Sequence, residues 1–130
     1  MPNFANYDVV SDGNILIDAA GDPDHDFDIG LDANAHLGIR SVLSYVVDPG
    51  SPGVTFKISI VNSNIPINSD QIVTIIVPPT TLPSQTPYVL QEVINANVFK
   101  KVGNILRIQV SAGRANFSDI VLMYKSVSAF

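Results

Sequence analysis

A chain of 130 residues with a formal net charge of −5, 46% hydrophobic and 15% charged residues and no cysteine is long enough to bury a core, and several functional classes fall away at once. Without cysteine there is no disulfide framework, no thiolate metal site and no Cys nucleophile. The acidic balance, with Lys100-Lys101 as the only adjacent basic pair, argues against nucleic-acid binding, which needs clustered Lys and Arg to neutralise phosphates.

The apolar residues arrive in short runs of Val, Ile, Leu, Tyr and Phe, punctuated by Pro, Gly, Asn and Asp. That rhythm predicts an all-β chain folded as one domain over residues 1–130. MPNFANYDVV has neither the basic n-region nor the apolar h-region of a secretory leader, and no later run approaches the ~18 apolar residues of a membrane span. An additional strand is expected at residues 7–10, then strands at 14–18 and 25–31.

The last of these falls within GDPDHDFDIGL, residues 21–31, with Asp22, Asp24, Asp26 and Asp28 at alternate positions. In an extended chain these four share one face and Phe27, Ile29 and Leu31 take the other. Carboxylates in that register repel unless they are solvated or neutralised, and Ca²⁺ prefers six to eight hard oxygen ligands of this kind. They are the candidate metal ligands, set against the plainer reading of an acidic strand edge that discourages aggregation. Pro23 favours a turn that folds Asp18, Asp22 and Asp24 toward one point. An EF-hand loop starting at Asp22 fails, because Phe27 stands where Gly is needed and Ala33 where an acid is needed.

Strands follow at 39–47, 53–62, 71–77, 87–93, 104–111 and 116–125. VTFKISI puts Val54, Phe56, Ile58 and Ile60 on one side; NILRIQV puts Leu106, Ile108 and Val110 inward and Arg107 and Gln109 outward, with Ile105 the exception. The run VPPTTLPSQTP, residues 77–87, has four prolines and is expected to be an extended, unpaired crossover, as a jelly-roll or Greek-key sandwich requires. DIVLMYK lacks alternation, so its strand should be covered on both sides, central in a sheet or at a subunit contact.

The segment VINANVFKKVGNILRIQVSAGRANFSDIVLMYK resembles the closing strands of galactose-binding-domain-like jelly rolls. Val98-Phe99 precede the basic pair Lys100-Lys101, Gly103-Asn104-Ile105-Leu106 opens a long strand, and a last strand follows Ser111-Ala112-Gly113. The resemblance implies a jelly-roll β-sandwich whose relatives recognise sugars or act as accessory and assembly modules, often with a calcium ion. The chain departs from many sugar-binding members in having no Trp.

Catalytic constellations are not found. His25 and His36, the only histidines, lack zinc-ligand spacing. No Gly-x-Ser-x-Gly elbow or phosphate-binding glycine loop is present, and a crowded Asp row lacks the asymmetry a glycosidase pair needs. The aromatics Tyr7, Tyr45, Tyr88, Tyr124, Phe27 and Phe99 could supply a stacking face for a sugar, although at strand spacing such residues usually fill the core. Two readings follow. One is a non-catalytic, lectin-like carbohydrate-binding module, with Ca²⁺ as its candidate cofactor. The other is a structural or assembly β-sandwich that forms a homo-oligomer or part of a larger particle.

Overall fold

The computed structural model describes residues 3–62 and 72–127, which form nine strands. These are β1 (Asn3–Ser11), β2 (Ile15–Asp18), β3 (Asp24–Ile29), β4 (Ser41–Pro49), β5 (Thr55–Asn62), β6 (Ile72–Thr81), β7 (Tyr88–Ile94), β8 (Asn104–Ala112) and β9 (Arg114–Val127). Gln71, the expected start of one strand, lies outside the described residues. Among them no helix is long and apolar enough to cross a membrane.

Two antiparallel sheets face each other. Sheet A has the order β1-β9-β4-β7, with β2 continuing the β1 side of β9; sheet B has the order β3-β8-β5-β6. The antiparallel pairs β2 with β9, β3 with β8, β4 with β7 and β5 with β6 nest inside one another. This is one long hairpin wrapped into two layers, the jelly-roll sandwich.

Alternation determines which side chains enter the space between the sheets. Val54, Phe56, Ile58 and Ile60 of VTFKISI and Leu106, Ile108 and Val110 of NILRIQV are all at most 1% exposed. Tyr45 and Phe117 from sheet A meet Phe56 from sheet B edge to face, with centroids 6.2 and 5.7 Å apart, a favoured aromatic geometry. Tyr45 carries a polar tip into this layer and satisfies it by donating to Glu92 on β7 at 3.1 Å. Burial, followed by the nearby Glu92 charge, pushes the Tyr45 phenol well above its ordinary range.

DIVLMYK is resolved by a bulge. Val46 pairs with Ser118 but Ser44 with Val121, so β9 carries an extra residue there. Asp119 has φ 50°, a left-handed conformation that Asp tolerates better than most residues. The insertion shifts the phase by one: Ala115 and Phe117 point inward before it, and Ile120, Leu122, Tyr124 and Ser126 after it. Asp119 thereby stays out of the core. β9 is central in sheet A, as its two-sided apolar character implies, and Val121 and Met123 face outward.

The proline-rich run departs from expectation. Residues 77–81 are not an unpaired crossover, because they complete β6: Val77 pairs with Ile58 and Thr80 with Phe56. Two features make this tolerable. β6 is an edge strand, and Pro78 and Pro79 sit where the register shifts, so the missing N–H groups interrupt no ladder on both sides. Only the segment after Thr81 crosses between sheets, anchored by buried Leu82, whose N–H donates to Val54 O at 2.8 Å.

Candidate functional site

The outward sides of the two sheets differ in chemistry. On sheet B, Asp24, Asp26 and Asp28 project from β3 on the side opposite Phe27 and Ile29. Asp22 precedes this row, in a turn where its N–H donates to Asp18 O and its own carbonyl accepts from Asp18 N–H. The Asp18 carboxylate is occupied by the N–H of Ala20 at 2.9 Å.

Cross-strand partners on β8 neutralise part of the row. Arg107 pairs with Asp26 through two parallel bonds, Nε to Oδ1 at 2.8 Å and Nη2 to Oδ2 at 3.0 Å, the bidentate fork that gives such pairs their geometry. The Arg107 hydrogen bond holds the Asp26 carboxyl below the usual range, and the same bond raises Arg107. Gln109 donates to Asp24 at 3.1 Å. Successive outward residues on one strand lie about 6.8 Å apart, so Asp24, Asp26 and Asp28 are spread along β3. Among the described residues no group of three or more His, Asp or Glu is placed to hold a metal.

Next to the row, a depression of about 240 Å³ is lined by Pro23, Asp24, Lys57, Pro79, Gln109, Val110 and Ser111. Toward β6 the same face turns apolar, with Val73 and Ile75 exposed.

The histidines are separated. His25 lies on the core side of β3, its ring 4.5 Å from that of Phe27. His36 sits in the 30–40 loop, where its N–H donates to Lys125 O. That loop is fastened by a residue whose role the sequence did not suggest. Asp32 accepts from Asn6 Nδ2 at 2.8 Å, Ser126 Oγ at 3.1 Å and the N–H of Asn34, and its own N–H donates to Tyr124 Oη. Only an acceptor-only side chain can collect three donors in this way.

The aromatics sort mostly into structure. Phe27, Tyr45, Phe99 and Tyr124 are buried, and the Tyr88 hydroxyl bonds Ser84 across the crossover. Tyr7 is the exception, 60% exposed on sheet A. The G-N-x-L turn is architectural as well. Gly103 adopts φ 76°. Asn104 is buried, bonds Lys100 N–H and Lys100 O to close the turn, and accepts from Asn62 across the sheet.

Sheet A presents the opposite outward surface. Its register aligns Tyr7, Met123, Val42 and Val93 in one row across four strands. The next row holds Val9, Val121, Ser44 and Gln91, and the one after it Ser118, Val46 and Val89. Tyr7, Val9, Val89 and Val93 are each at least 58% exposed. Arg40 and Lys125 border one end, where a depression of about 220 Å³ lies against Val42 and Met123; Asp48, paired with Asn116, borders the other.

No family model matches the chain, and no curated protein matches it in sequence. Similar solved structures include a chain of the T13 IBDV viral particle, aligned over 95% of this chain and 31% of its own, with a TM-score of 0.63 and 14% identity. The CBM22-1-GH10 modules of Clostridium thermocellum endo-1,4-beta-D-xylanase 10B, complexed with xylohexaose, align over 92% of this chain and 24% of theirs, with a TM-score of 0.58 and 16% identity. The CBM22-1 xylan-binding domain of Paenibacillus barcinonensis Xyn10C aligns over 96% and 83%, with a TM-score of 0.50 and 14% identity. The chain thus spans less than a third of the first two. At such identities the likeness is one of fold, an antiparallel jelly-roll β-sandwich.

Proposed function

We propose that this chain is a non-catalytic structural or assembly module that works by burying the outward face of sheet A against protein. One observation carries the reading: Tyr7, Val9, Val42, Val93, Val121 and Met123 cluster on the outward face of sheet A, with Val46 and Val89 on the same face beyond the polar pair Ser44 and Gln91. The largest contiguous apolar patch on a monomer, typically about 300–600 Å², is often a functional surface. A sandwich of this fold is found both in a viral particle chain and in a xylan-binding domain, so the fold accommodates assembly and carbohydrate binding alike.

The carbohydrate reading is favoured by the polar depression beside Asp24, Lys57 and Gln109, which offers hydroxyl-bonding groups. It lacks an aromatic platform there, because none of the lining residues is aromatic. Its calcium-assisted form rests on Asp22, Asp24, Asp26 and Asp28, of which Asp26 and Asp24 already bond Arg107 and Gln109. Light scattering on the chain, paired with a glycan array run with and without chelator, separates the two. The assembly reading expects an oligomer and a silent array; a monomer that binds glycans overturns it.

A further inference from the structure

The proposed assembly surface has a symmetry in its order of residues. Starting one residue before β4, the outward positions are Arg40, Val42, Ser44, Val46 and Asp48. On the neighbouring β7 they are Val89, Gln91 and Val93, in register as Val42 with Val93, Ser44 with Gln91 and Val46 with Val89. Read from either end, each strand gives valine, a polar residue, valine. Arg40 and Lys125 flank one end and Asp48 the other, with Arg114 one row beyond Asp48 beside Gly50. Such a surface complements itself when turned end for end.

We infer that sheet A seats on sheet A of a second copy, about a two-fold axis lying across the strands at the row of Ser44, Gln91 and Val121. The inference rests on the assembly reading and names its partner and register. This operation sets Val42 over the partner's Val46, Val93 over the partner's Val89, and Arg40 over the partner's Asp48. Met123 falls on the partner's Ser118, a long side chain on a short one. A two-fold axis along the strands would instead bring Arg40 and Lys125 against their own copies, a like-charge arrangement that disfavours it.

An isologous contact of this kind closes as a dimer, and two sheets stacked face to face with strand directions within about 30° match the aligned packing of β-sandwiches. Four strands about 4.8 Å apart over roughly 30 Å of length offer ~570 Å² a side, or about 1,100 Å² for the pair, at the lower edge of specific interfaces. The dimer is accordingly expected to dissociate on dilution.

Charge exchange in sedimentation equilibrium tests this arrangement. Asp48→Arg alone and Arg40→Asp alone should each weaken the dimer about tenfold, and the double variant Arg40→Asp/Asp48→Arg should restore it. Unchanged melting temperatures would show that the variants fold. If a dimer forms and Val42→Lys dissolves it, but the double variant is no stronger than the singles, the two-fold register is overturned while the assembly surface stands. If the chain sediments as a monomer at every concentration, the dimer is overturned, and with it the homo-oligomeric form of the assembly reading.

Discussion

Sheets A and B are built from the same alternation, yet their outward faces follow different rules. On β3 and β8 the outward residues include Asp24, Asp26, Asp28, Arg107 and Gln109 beside Ile105, with Arg107 bonded to Asp26 and Gln109 to Asp24. On β9, β4 and β7 they include Val121, Met123, Val42, Val46, Val89 and Val93. The inward faces need only be apolar and close-packed, so the contrast is not a demand of the fold. An acidic row on an edge strand is what keeps an edge from pairing, whereas a valine-rich central face invites a partner. The difference locates the surface at which function should be sought.

The largest effect sharpens the inward-outward part of this comparison. Ile108, fully buried on β8, becomes an uncompensated buried charge in Ile108→Asp, which should cost more than about 4 kcal/mol and leave the chain unfolded in thermal denaturation. Gln109→Asp, one residue along and outward, should cost no more than about 1 kcal/mol, the price of one amide bond and a like charge near Asp24. Equal losses would break the register on which both faces are defined.

A smaller effect concerns the ionic face. The Arg107–Asp26 pair is partly solvated, with side chains 30% and 44% exposed, so a double-mutant cycle through Arg107→Ala and Asp26→Asn should return about 0.5 kcal/mol at neutral pH. Because the folded state lowers the Asp26 pKa, this contribution is present above the ordinary carboxylate range and fades as pH falls through the depressed value. A coupling that grows on acidification would contradict the pairing.

The smallest effect is expected from cations. With Asp26 and Asp24 engaged by β8, millimolar Ca²⁺ and Mg²⁺ should raise the melting temperature only slightly and alike, no more than monovalent salt at equal ionic strength. A rise specific to Ca²⁺ that Asp24→Asn/Asp26→Asn abolishes would assign the row a metal site and recast sheet B as the functional face.

Local patterns carried much of this in the sequence. Period-two alternation in VTFKISI and NILRIQV gives the core side of β5 and β8 without further information, and a strand stands at each expected place, although β1 starts at Asn3 rather than residue 7 and β6 runs on to Thr81 rather than residue 77. Non-local pairing was harder to read. Arg107 meets Asp26 across 81 positions, and nothing near GDPDHDFDIGL announces the guanidinium that neutralises it. The bulge at Asp119 depends on how many residues β4 sets against β9, so DIVLMYK reads as two-sided without showing which residues face which way. Pro78 and Pro79 mislead because their tolerance depends on β6 lying at an edge. The apolar face was half visible, in Val121 and Met123; its extension through Val42, Val46, Val89 and Val93 exists only once the strands are aligned.

A matched pair of substitutions on the two faces bears most directly on the central claim. Val93 on the sheet A face and Ile75 on the sheet B face are 62% and 54% exposed, each on an edge strand. Val93→Lys and Ile75→Lys therefore change similar surface on opposite sides. Measured by sedimentation equilibrium beside the unsubstituted chain, Val93→Lys should convert the oligomer to monomer at unchanged melting temperature, and Ile75→Lys should leave it intact. An oligomer that withstands Val93→Lys but dissociates with Ile75→Lys would place the assembly surface on the other sheet and contradict the account.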